Sequence, residues 1–338
     1  MLVESTFKPA FWLRNRHAQT IFASKIRPAP QVMFEPERLT LDDGDFLDLS
    51  WLPDRNLPPQ APVVIVLHGL NGGLDSKYAR GLLREVAAHE ARGVLLHFRG
   101  ANKPNRKSYG YHSGETGDFA TVIGHVRRLY PHAPVAAAGY SLGGNVLLKY
   151  LGEQGAKTPL ECAVGVSVPF DLAKCAEAVN HGLPRIYRDH MLNGMRRVTR
   201  EKFGRIKPPI AFPDLGTLRD FVSFDNAVTA PLNGFEDAAD YYRQASSGPY
   251  LKSVRIPTLI IQSTDDPFMG KDIIPDSEDL APSIRFEHST HGGHVGFVAA
   301  GHFGEPVYWL EQRIPAWYEE HLPGFELEHD SPSAARTN

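Results

Sequence analysis

Gly139-Tyr140-Ser141-Leu142-Gly143-Gly144 constrains this chain more than any other stretch. The apolar run Val135–Ala138 leads into it, and the helix-forming run Asn145–Tyr150 leads out. A serine in G-x-S-x-G between a strand and a helix is the sequence of a nucleophile elbow. Gly139 and Gly143 have no Cβ, so strand and helix can close on each other without a clash. The turn then holds the Ser141 hydroxyl over the carboxyl edge of a sheet, in a strained backbone. The Leu142 N–H opens the new helix and points into the same space, at the positive end of the helix. A bare G-x-S-x-G is more often a turn than a nucleophile. Here the flanks and the partners found further on favour the nucleophile.

The stretches around the elbow set the architecture. Val63–Leu67 is a continuous β-branched and apolar run, as in a strand buried on both faces. It enters His68-Gly69-Leu70-Asn71-Gly72-Gly73, and a helix follows over 77–90 with Ser76 as its N-cap. Strands at 93–98, 135–138 and 163–168 alternate with helices at 115–129 and 142–153. This rhythm predicts an α/β chain with a mostly parallel central sheet flanked by helices. The loops at the carboxyl ends of the strands open on one edge, where such sheets bind ligands. Upstream, alternation about Asp43-Gly44 predicts a hairpin over 37–53.

After Pro169 the rhythm stops, and it resumes at Ile256. Residues 170–255 read as a helical cap, with helices at 171–179, 184–203, 218–221 and 234–245. The core is then 39–169 together with 256–322. It includes late strands at 258–261 and 284–287 and a terminal helix within 307–322 that Pro315 either starts or kinks. Residues 1–38 read as an irregular arm that lays Phe7, Phe11, Trp12, Ile21 and Phe22 on the core. Residues 323–338 read as a frayed polar tail.

Composition narrows the function classes. The chain has 338 residues, 42% of them hydrophobic, and a formal net charge of −3. That is ordinary globular chemistry, with no basic field to attract nucleic acid. No apolar run approaches the ~18 residues of a membrane span, and the N-terminus lacks an apolar leader core. These features predict a soluble, cytoplasmic protein. Cys162 and Cys175 are too few for a disulfide framework or a zinc set. Between 184 and 207, eight Arg and Lys side chains face only Asp189 and Glu201. They read as a solvated helix face, with peripheral contact to anionic headgroups as the sharper alternative.

A serine hydroxyl needs a base within hydrogen-bond reach, and the base needs an orienting carboxylate. On a fold with this elbow the order is Ser, then acid, then His. Asp265-Asp266-Pro267 follows one late strand, and His288, His291, His294 and His302 lie in and after the next. Asp266, directly before proline at the loop apex, is the preferred acid, with Asp265 as the loop-capping alternative. His294 follows Gly292-Gly293, which allows close backbone approach, and is the preferred base. Leu142 N–H and Leu70 N–H are the candidate oxyanion donors. His68 could serve as a base but reads better as part of the turn geometry. No metal or cofactor is called for, since no His-x-x-x-His helix or matching carboxylate set is present.

Leu67-His-Gly-Leu-Asn-Gly, His97-Phe-Arg-Gly, Asn105-Arg, Tyr111-His-Ser-Gly-Glu-Thr-Gly-Asp and Gly139-Tyr-Ser-Leu-Gly-Gly-Asn form a set with four later stretches. Those are Phe224-Asp-Asn with Thr229-Ala-Pro, Tyr241-Tyr, Asp265-Asp-Pro-Phe and His291-Gly-Gly-His-Val-Gly-Phe. Together they span residues 10–320. The set resembles the YheT-like branch of the α/β-hydrolases, which includes yeast medium-chain ethyl ester synthase/esterases and animal lipid hydrolases. The resemblance implies the α/β-hydrolase fold and a serine carboxylic-ester hydrolase acting on short- to medium-chain or glycerolipid acyl esters. It carries Ser141, Asp266 and His294 over as the triad. Ala101-Asn102-Lys103 departs from the Cys-Ser-Gly expected after His97-Phe-Arg-Gly. Two alternatives share the scaffold: acyl transfer to an alcohol in place of water, and a non-catalytic binding module.

Overall fold

The computed structural model describes residues 1–326. In chain order the elements are β1 (Leu2–Glu4), α1 (Arg16–Ile21), β2 (Glu35–Thr40), β3 (Phe46–Trp51), β4 (Val63–Leu67), α2 (Lys77–Ala88), β5 (Arg92–His97), α3 (Gly117–Leu129), β6 (Val135–Tyr140), α4 (Leu142–Gln154) and β7 (Cys162–Val166). Helices α5 (Leu172–Ala178), α6 (Pro184–Phe203), α7 (Phe221–Phe224), α8 (Ala230–Asn233) and α9 (Ala238–Ala245) follow. The chain closes with β8 (Thr258–Ser263), β9 (Ile284–Ser289), β10 (Val298–Ala300), β11 (Pro306–Tyr308) and α10 (Leu310–His321).

The main sheet has nine strands in the order β1-β9-β8-β7-β6-β4-β5-β3-β2. It is parallel from β1 to β5, and β3 and β2 add antiparallel at one edge. Every residue of β4 is buried. Val63, Ile65 and Leu67 point into the core packed by α3 and α4, with Phe119, Val122 and Val146. Val64 and Val66 point into the opposite core, with Leu82 and Val86 of α2 and Ile314 and Trp317 of α10. A strand that must satisfy two apolar layers carries no polar residue, hence its unbroken run.

Between β7 and β8 the helices leave the sheet and form their own small cores. One gathers Leu192, Leu215, Leu218, Phe224 and Val228. Another gathers Leu172, Ala230, Tyr241 and Ala245. Arg188 and Lys202 of α6 are buried, so the basic run at 184–207 is not a uniformly solvated face.

The N-terminal arm is irregular only in part, and of the side chains expected on the core Phe7 is buried and Phe22 half-buried, whereas Phe11, Trp12 and Ile21 are exposed. Strand β1 pairs with β9, and Asn15 Oδ1 caps α1 by accepting from His17 N and Ala18 N. A three-residue strand and a six-residue helix are too short to show a periodicity. The β10–β11 hairpin escapes sequence reading for the same reason. Pro315 lies inside α10 rather than at its start. Most of the stretch expected to fray, residues 327–338, lies outside the described residues. Phe325, however, is fully buried, stacked on His89 and edge-on to Tyr318. No helix among the described residues is long and apolar enough to cross a membrane.

Candidate active site

Ser141 stands between β6 and α4 with φ +52° and ψ −120°, a conformation that costs a non-glycine residue on the order of 1–3 kcal/mol. Its surroundings hold it there. The Ser141 N–H donates to Val166 O at 2.9 Å, and its carbonyl accepts from Asn145 N at 3.1 Å. A Cβ on Gly143 would lie 2.5 Å from Leu67 O and 2.6 Å from His68 O, so only glycine lets α4 seat against the end of β4.

The parallel strands β6, β8 and β9 deliver their following loops to one edge. Ser141 Oγ lies 3.0 Å from His294 Nε2, and His294 Nδ1 lies 2.8 Å from Asp266 Oδ2. Asp266 is 1% exposed, and its other oxygen accepts from Phe268 N at 2.9 Å. The carboxylate is thus fixed by its own loop and presents one oxygen to the imidazole. Asp265 points away. It accepts from Gly293 N at 2.9 Å, while Ser263 Oγ donates to Gly293 O at 2.7 Å. These two bonds pin the Gly292-Gly293 turn that precedes His294. Burial raises the Asp265 pKa, opposed by that Gly293 bond. His291 sits beside Thr290, His288 is half-buried in β9, and His302 is exposed.

Leu142 opens α4, so its N–H has no partner within the helix. Leu70, Leu142, Ser141 and His294 all line one cavity. His68 is fully buried: Nδ1 donates to Gly69 O at 2.7 Å and Nε2 accepts from Phe98 N at 3.4 Å. Burial lowers its pKa to about 4, so it is a neutral turn residue with both nitrogens occupied.

Several residues that position this centre carried no local signal. Thr20 Oγ1 on α1 accepts from His294 N at 2.9 Å, and Gln19 clamps both backbone groups of Val298 at 2.7 and 2.9 Å. The arm therefore fixes the histidine loop from some 270 residues away in sequence. Asn145, on the first turn of α4, donates to Ser113 O and Ala245 O and accepts from Ser247 N. It joins the elbow helix to the loop before α3 and to the end of α9. Phe268 lies over the His294 ring at 4.2 Å, Tyr187 stacks on Phe268 at 5.0 Å, and His17 stacks on Tyr187 at 5.8 Å. An aromatic column thus links the arm, α6 and the acid loop to the imidazole.

The cavity above Ser141 opens to solvent. Its walls are mostly apolar, with Leu172, Val179, Met191, Met195, Phe221 and Phe224 from the helices between β7 and β8. Asp225 is a buried carboxyl in this wall, accepting from Thr229 Oγ1 at 2.5 Å and Tyr242 OH at 2.7 Å. Burial raises its pKa to about 6 despite both bonds. Among the described residues, no group of three or more His, Cys, Asp or Glu is arranged to hold a metal ion. A largely apolar cavity over a hydroxyl–imidazole–carboxylate array is suited to acyl transfer.

The alpha/beta hydrolase fold family model matches residues 62–300. YheT of Escherichia coli (strain K12) is 41% identical, over 94% of each chain. The Homo sapiens protein named phospholipase ABHD3 is 30% identical, over 88% of this chain and 75% of its own. Among solved structures, the Pyrococcus furiosus esterase Pf2001 superposes with a TM-score of 0.54 at 14% identity, over 86% of this chain and 92% of that one. That last likeness speaks for the fold alone. The chain belongs to the α/β-hydrolase family, in its YheT-like branch of esterase- and lipase-type proteins.

Proposed function

We propose that this protein hydrolyses carboxylic acyl esters through Ser141, His294 and Asp266. One observation carries the reading: Ser141 Oγ within 3.0 Å of His294 Nε2, at the floor of an apolar cavity. Ser141 attacks the ester carbonyl while His294 Nε2 takes its proton. The developing oxyanion is held by Leu70 N–H and Leu142 N–H. His294 then protonates the leaving alcohol, and the acyl group stays on Ser141. Water, deprotonated by the same imidazole, releases the acid. Asp266 stays ionised and holds Nδ1–H, fixing the tautomer that leaves Nε2 free.

The apolar walls suit short- to medium-chain or glycerolipid acyl groups. This substrate class also fits relatives named phospholipase and monoacylglycerol lipase. Turnover of p-nitrophenyl butyrate by Ser141→Ala tests the reading. Loss by a factor of about 10⁴ or more supports it, and retained activity overturns it.

A further inference from the structure

We propose that Lys202 forms an anion-binding subsite in the same cavity, taking a carboxylate or phosphate that the ester carries away from its scissile bond. This deepens the preceding reading, since it assumes that the cavity is the ester site.

Lys202 sits in the last turn of α6 and lines the cavity, yet it is only 6% exposed. Its ammonium donates to Ser108 O at 3.2 Å and Tyr109 O at 2.8 Å. An ammonium has three N–H donors, so one is left for the lumen. No carboxylate among the described residues forms an ion pair with it; its partners are carbonyls. Gly110 beside it has no side chain, and a Cβ there would stand 3.3 Å from Nζ. The ammonium is therefore left uncovered on that side.

The nearest charges are already committed. Arg99, also in the cavity wall, is bound to Asp118 at 2.5 and 3.0 Å, Asp43 at 2.6 Å and Asp45 at 3.2 Å. Asp45 takes further N–H donors from Phe46, Asn105, Arg106 and Lys107. Its pull on Lys202 is opposed by the push of Arg99, and burial dominates both, bringing the Lys202 pKa down to about 8. Burying an ammonium against carbonyls alone is costly, and an incoming anion relieves that cost. Of the other ionisable groups in the wall, His112 is held neutral by burial, its pKa near 4, and the Asp225 carboxyl is already bonded to Thr229 Oγ1 and Tyr242 OH. The cavity thus combines long apolar walls with one under-compensated cation. That pairing recognises an amphiphile with an anionic end.

A purely mechanical role, tying α6 to residues 108–109, needs an N–H donor but no charge. Lys202→Gln keeps donors and removes charge, and Lys202→Arg keeps both. Two substrate pairs are compared: mono-p-nitrophenyl suberate against p-nitrophenyl octanoate, and 1-octanoylglycerol 3-phosphate against 1-octanoylglycerol. The first pair places the anion on the acyl side, the second on the alcohol side. We expect Lys202→Gln to lower kcat/KM about tenfold or more for the anionic member of one pair, with its neutral partner within about threefold. Lys202→Arg should retain the preference. Equal losses for both members of both pairs would overturn the subsite and leave a tether. In Ser141→Ala protein, octyl phosphate should bind more tightly than octanol, and adding Lys202→Gln should erase the difference. That binding result with no ester turnover by the wild type would sink the esterase reading alone. Ester turnover with no such binding difference would sink the subsite alone.

Discussion

Replacing Asn145 by alanine should both destabilise the fold and slow the chemistry. The Asn145 side chain is fully buried and makes three hydrogen bonds, to Ser113 O at 2.8 Å, Ala245 O at 2.7 Å and Ser247 N at 2.9 Å. Alanine leaves two carbonyls and one N–H in a dry interior. Each costs about 1–3 kcal/mol when unsatisfied. A water entering the vacated volume would recover part of this, because the site is polar enough to hold one. The net loss is then roughly 3–5 kcal/mol, a large share of the ~5–15 kcal/mol that keeps a typical domain folded. Ser113 belongs to the loop lining the cavity, and Asn145 lies one turn beyond Ser141, so kcat/KM should fall as well. Urea unfolding with an unchanged m-value gives the first quantity, and p-nitrophenyl butyrate kinetics in native buffer gives the second. Asn145→Asp is the sharper control. It keeps the acceptor for Ser247 N but turns an oxygen toward two carbonyls, so it should be at least as harmful as alanine. A loss under about 1 kcal/mol with unchanged kcat/KM would refute the reasoning.

Asp225 should make stability pH-dependent. Its folded pKa near 6 lies above its ordinary 3.8, so its contribution is full below that lower value and lost as pH rises through about 6. Between pH 5 and 7.5 the wild type should lose roughly 1 kcal/mol relative to Asp225→Asn in urea titrations; a constant gap contradicts this. Gly143→Ala should cost about 2 kcal/mol or more by thermal or urea unfolding, because its Cβ would meet two backbone carbonyls at 2.5–2.6 Å. Near wild-type stability and activity would show that the elbow relaxes freely. Phe268→Leu should lower kcat/KM roughly 3- to 30-fold, through loss of the ring that faces the imidazole as it becomes cationic. An unchanged value in steady-state kinetics would make Phe268 a packing residue only.

The parts of this molecule that sequence reveals are those whose physics is local. Val63–Leu67 shows its two-sided burial in five consecutive residues. Ser141 shows itself through the glycines its turn needs, and the order of Asp266 and His294 follows from the strands that carry them. Contacts that join distant segments leave no such trace. Thr20 in a short arm helix gives no hint that it holds the His294 backbone. Asn145 in an exposed helix would be a surface residue, and only the packing of Ser113 and Ala245 over it makes it a buried joint. Lys202 hides in a basic run because helical spacing says which residues share a face but not which face the core takes. The column from His17 through Tyr187 and Phe268 to His294 draws on four separate segments, and no single window contains it.

Covalent labelling tests the central claim most directly. A serine-directed alkyl phosphonate is incubated with the protein, and the adduct is located by peptide mass spectrometry. The account predicts one adduct, on Ser141, with labelling slowed severely in His294→Ala and ester hydrolysis lost in step with modification. An adduct on another residue, or full ester hydrolysis by protein whose Ser141 is completely modified, would contradict it.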